Sequence, residues 1–207
     1  MLEYELTPHH AGVALWGDHA SLFRLRDFIL DVVAHSAYID NEEGFVIGLA
    51  YDARKAYDGQ RSQSEDPERG RRYGVEVLWP TLLLQVGVLR HAMAFIPTTK
   101  LHHAIMFELE HLVESALEEA LPDAAADIKR AMYCVGAEPY QHLDDVLESR
   151  CRYFISLPAA QRLSVLPALM DTFHPLYPRF TLRANEQVVI PPVVFEHQGA
   201  PWPAFEW

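Results

Sequence analysis

The sequence predicts an α+β fold in which a small, mostly antiparallel sheet packs against a bundle of about five or six helices. β-prone segments lie mainly in the first eighty residues, with candidate edge strands at 187–190 and 193–195, and amphipathic helical patterns fill most of the remainder. Prolines become dense after residue 173, which predicts an extended Pro-rich tail over 173–207. No linker separates two apolar cores, so the sequence predicts a single domain over 1–207.

The N-terminal residues carry the signals of a hairpin followed by a helix. Leu2–Leu6 and Gly12–Trp16 are short, β-prone segments separated by a turn-like stretch. Asp18 then stands at a helix N-cap position. Apolar residues recur at helical spacing from there to about His35, namely Leu22, Leu25, Ile29 and Val32.

Two further strands and a loop complete the predicted sheet. Phe45–Tyr51 is a continuous β-prone run, typical of a strand that is covered on both faces. Tyr73–Trp79 has a similar composition. Residues 58–72 between them contain no large apolar side chain and so predict a mobile loop.

The rest of the chain up to the tail is predicted to be helical. Pro80 suits the first turn of a helix that runs to about Ile96. Thr98 or Thr99 then caps a helix with one acidic face. Further helices are expected over 122–135, 143–157 and 158–172.

Charge and composition exclude several classes of partner. The formal charge of -12 repels phosphate backbones and anionic lipids, so we expect neither a nucleic-acid nor a membrane partner. The long apolar run over 75–97 is interrupted by polar residues, which indicates a core helix. Two cysteines and an N-terminus without a signal-like segment predict a cytoplasmic protein.

No catalytic motif is present in the sequence. It lacks the Gly-x-Ser-x-Gly elbow of hydrolases and the glycine-rich loops that bind nucleotides and dinucleotides. Cys134 and Cys151 lie within helical patterns, where structural thiols are commoner than reactive ones. These observations favour a non-catalytic protein without a cofactor and leave an enzymatic activity open.

A candidate ligand site lies where the predicted strand meets the predicted loop. Tyr51, Asp52, Arg54 and Tyr57 combine aromatic rings with a carboxylate and a guanidinium. At a strand end beside a flexible loop, they would form a polar pocket. The alternative is that Asp52 and Arg54 form a structural ion pair that fixes the start of the loop.

A weaker candidate is a metal site on the acidic helix. The sequence contains eleven histidines, and His103, Glu110, His111 and Glu114 combine imidazoles with carboxylates along one helix. Only one Glu-x-x-His pair is present, whereas a di-metal bundle needs two. The alternative is a solvated acidic helix face bordered by histidines.

The last residues are unusually aromatic, with Trp202, Phe205 and Trp207 close together. Rings of this size are stabilised by burial. They either dock on the same chain or form a homodimer contact, and the sequence leaves both alternatives open.

Three segments resemble an uncharacterised bacterial family of unknown function. They are Gly17-Asp18 before the first helix, the segment Tyr51–Gly59 and the segment Gly74–Pro80. The resemblance covers about the first 120 residues. It implies a bacterial origin and a cytoplasmic α+β domain, and it brings no catalytic residue.

Three functional hypotheses follow from these observations. The first is a non-catalytic binding or assembly module, whose partner is another protein or a second copy of this chain. The alternative is a small metal-binding protein or enzyme with a polar pocket beside the 58–72 loop. The acidic charge also fits a third function, recognition of a basic peptide or cationic ligand.

Overall fold

The structure, a computed structural model, describes residues 1–177, 190–196 and 202–207. These residues contain four strands and seven α-helices, which confirms the α+β prediction. The strands are β1 (Glu3–Leu6), β2 (Gly12–Gly17), β3 (Ser62–Asp66) and β4 (Gly70–Leu78). The helices are α1 (His19–His35), α2 (Phe45–Lys55), α3 (Trp79–Ala92), α4 (Lys100–Ala120), α5 (Ala125–Val135), α6 (Tyr140–Ser156) and α7 (Ala159–Asp171).

The four strands form one antiparallel sheet in the spatial order β1-β2-β4-β3. Across the central pair, Val13 lies opposite Val77 and Leu15 lies opposite Val75. All four side chains are buried. Because side chains alternate between the two faces of a strand, these residues share one face, which belongs to the hydrophobic core.

A β-hairpin replaces most of the loop predicted over 58–72. The carboxylate of Asp66 accepts the backbone N–H groups of Glu68 and Arg69, each at 2.8 Å, and so closes the turn. Gly70 follows with a φ of 75°, a left-handed conformation that favours glycine. Polar composition misled the prediction, because β3 is ordered by backbone pairing with β4 rather than by burial of its own side chains.

The prediction of a strand over Phe45–Tyr51 is wrong, because this segment is the first part of α2. An apolar run of seven residues cannot be distinguished from a buried helix by periodicity alone. Because α2 was predicted as a strand, the described residues contain seven α-helices rather than the predicted five or six. Its buried residues follow helical spacing: Val46, Leu49, Ala50 and Ala53.

Asp18 caps α1 as its position in the sequence predicts. Its Oδ1 accepts the backbone N–H of Ser21 at 2.7 Å. Partial burial opposes ionisation of Asp18, but the hydrogen bonds from Ser21 and the nearby Met1 ammonium and Arg72 outweigh it. The pKa of Asp18 is therefore lowered from its ordinary value.

We expect Asp18→Ala to lower the free energy of unfolding by about 1 kcal/mol at pH 7. A carboxylate with a lowered folded-state pKa stabilises the fold above its unfolded pKa of about 4, and this contribution is lost as the pH falls through the folded value. Urea unfolding from pH 7 to pH 2 should show the difference from wild type shrinking. Asp123→Ala, an exposed carboxylate that caps no helix, should show no such trend.

Helix α3 runs through the centre of the molecule. Eleven of its 14 residues are buried, and it packs against α2, α4, α5 and α6. Pro80 lies in its first turn, as predicted, where a missing N–H group leaves no hydrogen bond unmade. None of the helices in the described residues is long and apolar enough to cross a membrane.

A connected hydrophobic core joins the sheet to the helices. It includes Leu15 of β2, Trp79 of α3 and Phe154 of α6, all with less than 2% of their surface exposed. Residues from Leu2 to Phe195 belong to the same cluster. The N-terminal sheet is therefore stabilised by contacts with residues far along the chain.

The described part of the C-terminal segment docks on the same chain. Arg162, on α7, donates to the backbone carbonyls of His9 at 2.8 Å and Glu206 at 3.0 Å. It also donates to the carbonyls of Ile155 and Leu157 at the end of α6. One guanidinium thus joins the β1–β2 turn, two helices and the chain end.

Aromatic rings of the C-terminal segment reinforce this docking. Three arginines of α6 and α7 each lie over one such ring, at 4.1 to 5.9 Å from the ring centre. The pairs are Arg150 with Phe195, Arg152 with Trp202, and Arg162 with Phe205. The rest of the tail predicted over 173–207, at 178–189 and 197–201, lies outside the described residues.

Candidate functional site

The strongest candidate site is an aromatic surface on α1 and the end of α2. It consists of the mutually contacting rings of His19, Phe23 and Tyr57 together with the exposed ring of Tyr51 on the adjoining helix α2, and we call these four residues the aromatic patch. Phe23 is 41% exposed and Tyr51 is 45% exposed. Large rings gain free energy when they are buried, so exposed rings on two adjoining helices make this surface a candidate contact site.

Ring contacts connect the two helices within the aromatic patch. The ring centre of Tyr57 lies 4.7 Å from that of His19 and 6.1 Å from that of Phe23. A single π-helical turn, Ala56–Gln60, follows α2 and contains Gly59 with a φ of 78°. This turn carries Tyr57 to the start of α1.

Two guanidinium groups border the aromatic patch. That of Arg26 lies 5.9 Å from the ring centre of Phe23, and that of Arg54 lies 5.6 Å from the ring centre of Tyr51. Residues three apart on a helix share a face, which is why each arginine meets the ring of its own helix. Tyrosine, phenylalanine and arginine are the residue types that interfaces favour.

The structure separates the members of the predicted ligand site. Asp52 bonds Arg61, with 2.8 Å between Oδ1 and Nη2, instead of pairing with Arg54. Because this segment is a helix, residues two apart such as Asp52 and Arg54 point in different directions. Tyr51 and Tyr57 belong to the aromatic patch and Arg54 borders it, whereas Asp52 pairs with the residue that immediately precedes β3.

The carboxylates of the predicted metal site have other partners. Glu110 is buried and forms an ion pair with Arg90, whose Nε lies 2.6 Å from Oε1. This hydrogen bond raises the pKa of Arg90. Glu114 accepts a hydrogen bond from the Tyr133 hydroxyl at 2.9 Å.

The two histidines of that prediction lie in different surroundings. His103 has its Nε2 3.0 Å from the Thr98 hydroxyl. His111 lines a small cleft of about 280 Å³ with Leu2 and Tyr4. Among the residues that the structure describes, no group of three or more His, Cys, Asp or Glu side chains is placed to hold a metal ion.

Sequence reasoning missed two members of the aromatic patch, His19 and Phe23. A signal was available for Phe23, which lies beside the apolar stripe of α1 that contains Leu22 and Leu25. A large ring off that stripe must face away from the core. The place of His19 in the patch depends on its contact with Tyr57, which the sequence does not reveal.

The fold and this surface define an α+β protein with an exposed aromatic face built from two helices. The family model "Domain of unknown function (DUF6904)" matches residues 2–207, so the chain belongs to that family. The match extends through the second half of the chain, beyond the first 120 residues that carry the resemblance in sequence. Neither the curated proteins nor the solved structures contain a match to this chain.

Proposed function

We propose that this protein is a non-catalytic assembly module of the cytoplasm that associates with a second copy of itself through the aromatic patch. The observation that carries the proposal is the exposure of Phe23 and Tyr51 on adjoining helices. Burying rings of this kind against a partner supplies most of the free energy of a typical interface. Two free cysteines suit the reducing cytoplasm.

Charge favours a second copy at this surface in particular. With a formal charge of -12, two copies repel each other over most of their surfaces. The aromatic patch is bordered by charges of both signs, including the pairs Arg26–Asp27 and Arg61–Asp52. The positive charges at this surface therefore reduce the repulsion between two copies that approach each other here.

The composition of the surface also supports a second copy as the partner. In a two-fold dimer the same residues are presented by both copies. Arg26 and Arg54 already lie over aromatic rings of their own helices. Across a two-fold axis, the same guanidinium groups can cover the rings of the second copy, and desolvation strengthens cation–π contacts of this kind.

We expect Phe23→Gln and Tyr51→Gln each to weaken dimerisation. Loss of one central aromatic contact costs about 2 kcal/mol, and because a two-fold interface contains each substitution twice, the dimer Kd should rise by at least about 30-fold. Sedimentation equilibrium over a range of protein concentrations measures this change. Glutamine keeps good helix propensity, so α1 and α2 should remain folded in both variants.

Phe107→Gln is the matched control, because Phe107 is an exposed ring on α4, outside the aromatic patch. It should leave the dimer Kd unchanged. A wild-type protein that stays monomeric at every concentration would refute the proposal. If Trp202→Gln dissociated the dimer and the two patch variants did not, the C-terminal segment would be the interface instead.

A further inference from the structure

A second site, independent of the aromatic patch, lies between α5 and α7. Residues of both helices line a cleft of about 580 Å³ that is open to solvent on one side. Clefts of 300–1,000 Å³ are typical of small-molecule sites in proteins. Neither the family nor the proposed assembly function assigns a role to this cleft.

The cleft exists because both helices present small or polar residues to each other. Its lining on α5 includes Asp127, Ala131 and Cys134, which are spaced by four and three residues. Its lining on α7 repeats the same spacing with Ser164, Ala168 and Asp171. Residues at this spacing share a helix face, where large apolar side chains would normally fill the gap. The space between the helices therefore stays open.

Of the two carboxylates that line the cleft, that of Asp171 is the one without a counterion among the described residues. No basic side chain in the described part of the chain is paired with its carboxylate, and partial burial of this otherwise exposed residue raises its pKa. Desolvation destabilises the ionised form, and a bound cation would remove that penalty. Asp127, by contrast, is already paired with Arg130 at 2.7 Å.

We propose that the cleft between α5 and α7 binds a small alkylammonium ligand, with the ammonium on the Asp171 carboxylate and the alkyl chain over Pro167 and Ala168. Both apolar residues line the same cleft. The Arg130 guanidinium, which lines it too, is paired with Asp127, so the two side chains together add no net positive charge that would attract an anion. A compact cation with a short apolar chain matches both parts of the lining.

Isothermal titration calorimetry with pentylamine, pentanol and pentanoate tests the proposal directly. Pentylamine should bind to the wild-type protein, while pentanol and pentanoate, which have the same chain length, should not. Absence of pentylamine binding would overturn the proposal. Equal binding of pentanol would overturn it as well, because the site would then be selective only for apolar chains.

Charge-neutralising variants locate the ammonium. Asp171→Asn should weaken pentylamine binding by at least about tenfold, since a charge-assisted hydrogen bond is lost. Asp123→Asn removes the same charge from an exposed position outside the cleft and should leave binding unchanged. Equal affinity in both variants would show that only the overall negative charge attracts the amine.

Cys134 offers an independent test of location that needs no change at Asp171. It is exposed in the cleft, whereas Cys151 is buried and burial raises the pKa of its thiol to about 12, which leaves it unreactive. Pyrene maleimide attached to Cys134 should fill the cleft and abolish pentylamine binding. Cys134→Ser treated with the same reagent should still bind, and loss of binding there would contradict the assignment.

Discussion

Replacement of Gly87 by alanine is expected to lower the free energy of unfolding by about 3 kcal/mol, because α3 has no space for a side chain at this position. A Cβ at Gly87 would lie 2.3 Å from the carbonyl oxygen of Met132. A Cβ at Gly136 would lie 2.3 Å from the carbonyl carbon of Gly87. The two backbones are in contact, so the clash cannot be relieved by a change of rotamer.

Gly48→Ala is the matched control for this prediction, because Gly48 also lies inside a helix. The nearest atom to a Cβ there is Nε2 of Gln85, at 3.9 Å, which is an ordinary contact. Alanine should therefore raise the free energy of unfolding by about 0.5–1 kcal/mol through its better helix propensity. Urea unfolding of both variants measures the two effects. A Gly87→Ala variant as stable as wild type would show that α3 and α5 do not approach this closely.

Arg162→Met is expected to release the C-terminal segment and to lower the free energy of unfolding by about 4 kcal/mol. The buried guanidinium donates to four backbone carbonyls, and hydrogen bonds to a charged group contribute about 1.5–3 kcal/mol each without adding in full. Methionine keeps the volume of the aliphatic part of the side chain and lacks the guanidinium. The loss therefore reports on the hydrogen bonds together with the contact between the guanidinium and the Phe205 ring.

Two measurements check the Arg162 prediction. Urea unfolding gives the stability change, and hydrogen exchange should show faster exchange in residues 202–207 and in the β1–β2 turn. Arg162→Lys should recover little, because an ammonium cannot reproduce the planar geometry of the guanidinium. Arg130→Ala, which removes an exposed ion pair, should change stability by less than about 1 kcal/mol. Unchanged exchange at residues 202–207 in Arg162→Met would contradict the docking role.

The sequence correctly predicted the starts of two helices, where a single residue marks the position through its own backbone geometry. Asp18 at the N-cap of α1 and Pro80 in the first turn of α3 both occupy their predicted positions. Cap residues and first-turn prolines depend on their own backbone and little else. For this reason the sequence alone was sufficient at these positions.

Elements that depend on distant partners escaped prediction. Phe45–Tyr51 is apolar on every side, and only its packing against α1 and α3 decides that it is helical. The strand Ser62–Asp66 is polar, and only its pairing with β4 orders it. Both errors arise because tertiary contacts override local composition.

Sequence reasoning singled out only part of the candidate surface, and it did so as a polar ligand pocket. Tyr51, Arg54 and Tyr57 were found from their unusual combination of side chains, but the pairing of Asp52 with Arg61 depends on the hairpin. The cleft between α5 and α7 was missed altogether. The matching spacing of small and polar residues in the two helices is a signal for it, which becomes meaningful only once the helices are known to be neighbours.

Hydroxyl-radical footprinting at low and high protein concentration tests the central claim most directly, because it reports which rings become covered. If two copies meet at the aromatic patch, oxidation of Phe23 and Tyr51 should fall as the concentration rises through the dimer Kd. Phe107, an exposed ring on α4, should be oxidised equally at both concentrations. Unchanged oxidation of Phe23 and Tyr51 in a sample shown to be dimeric would contradict the account.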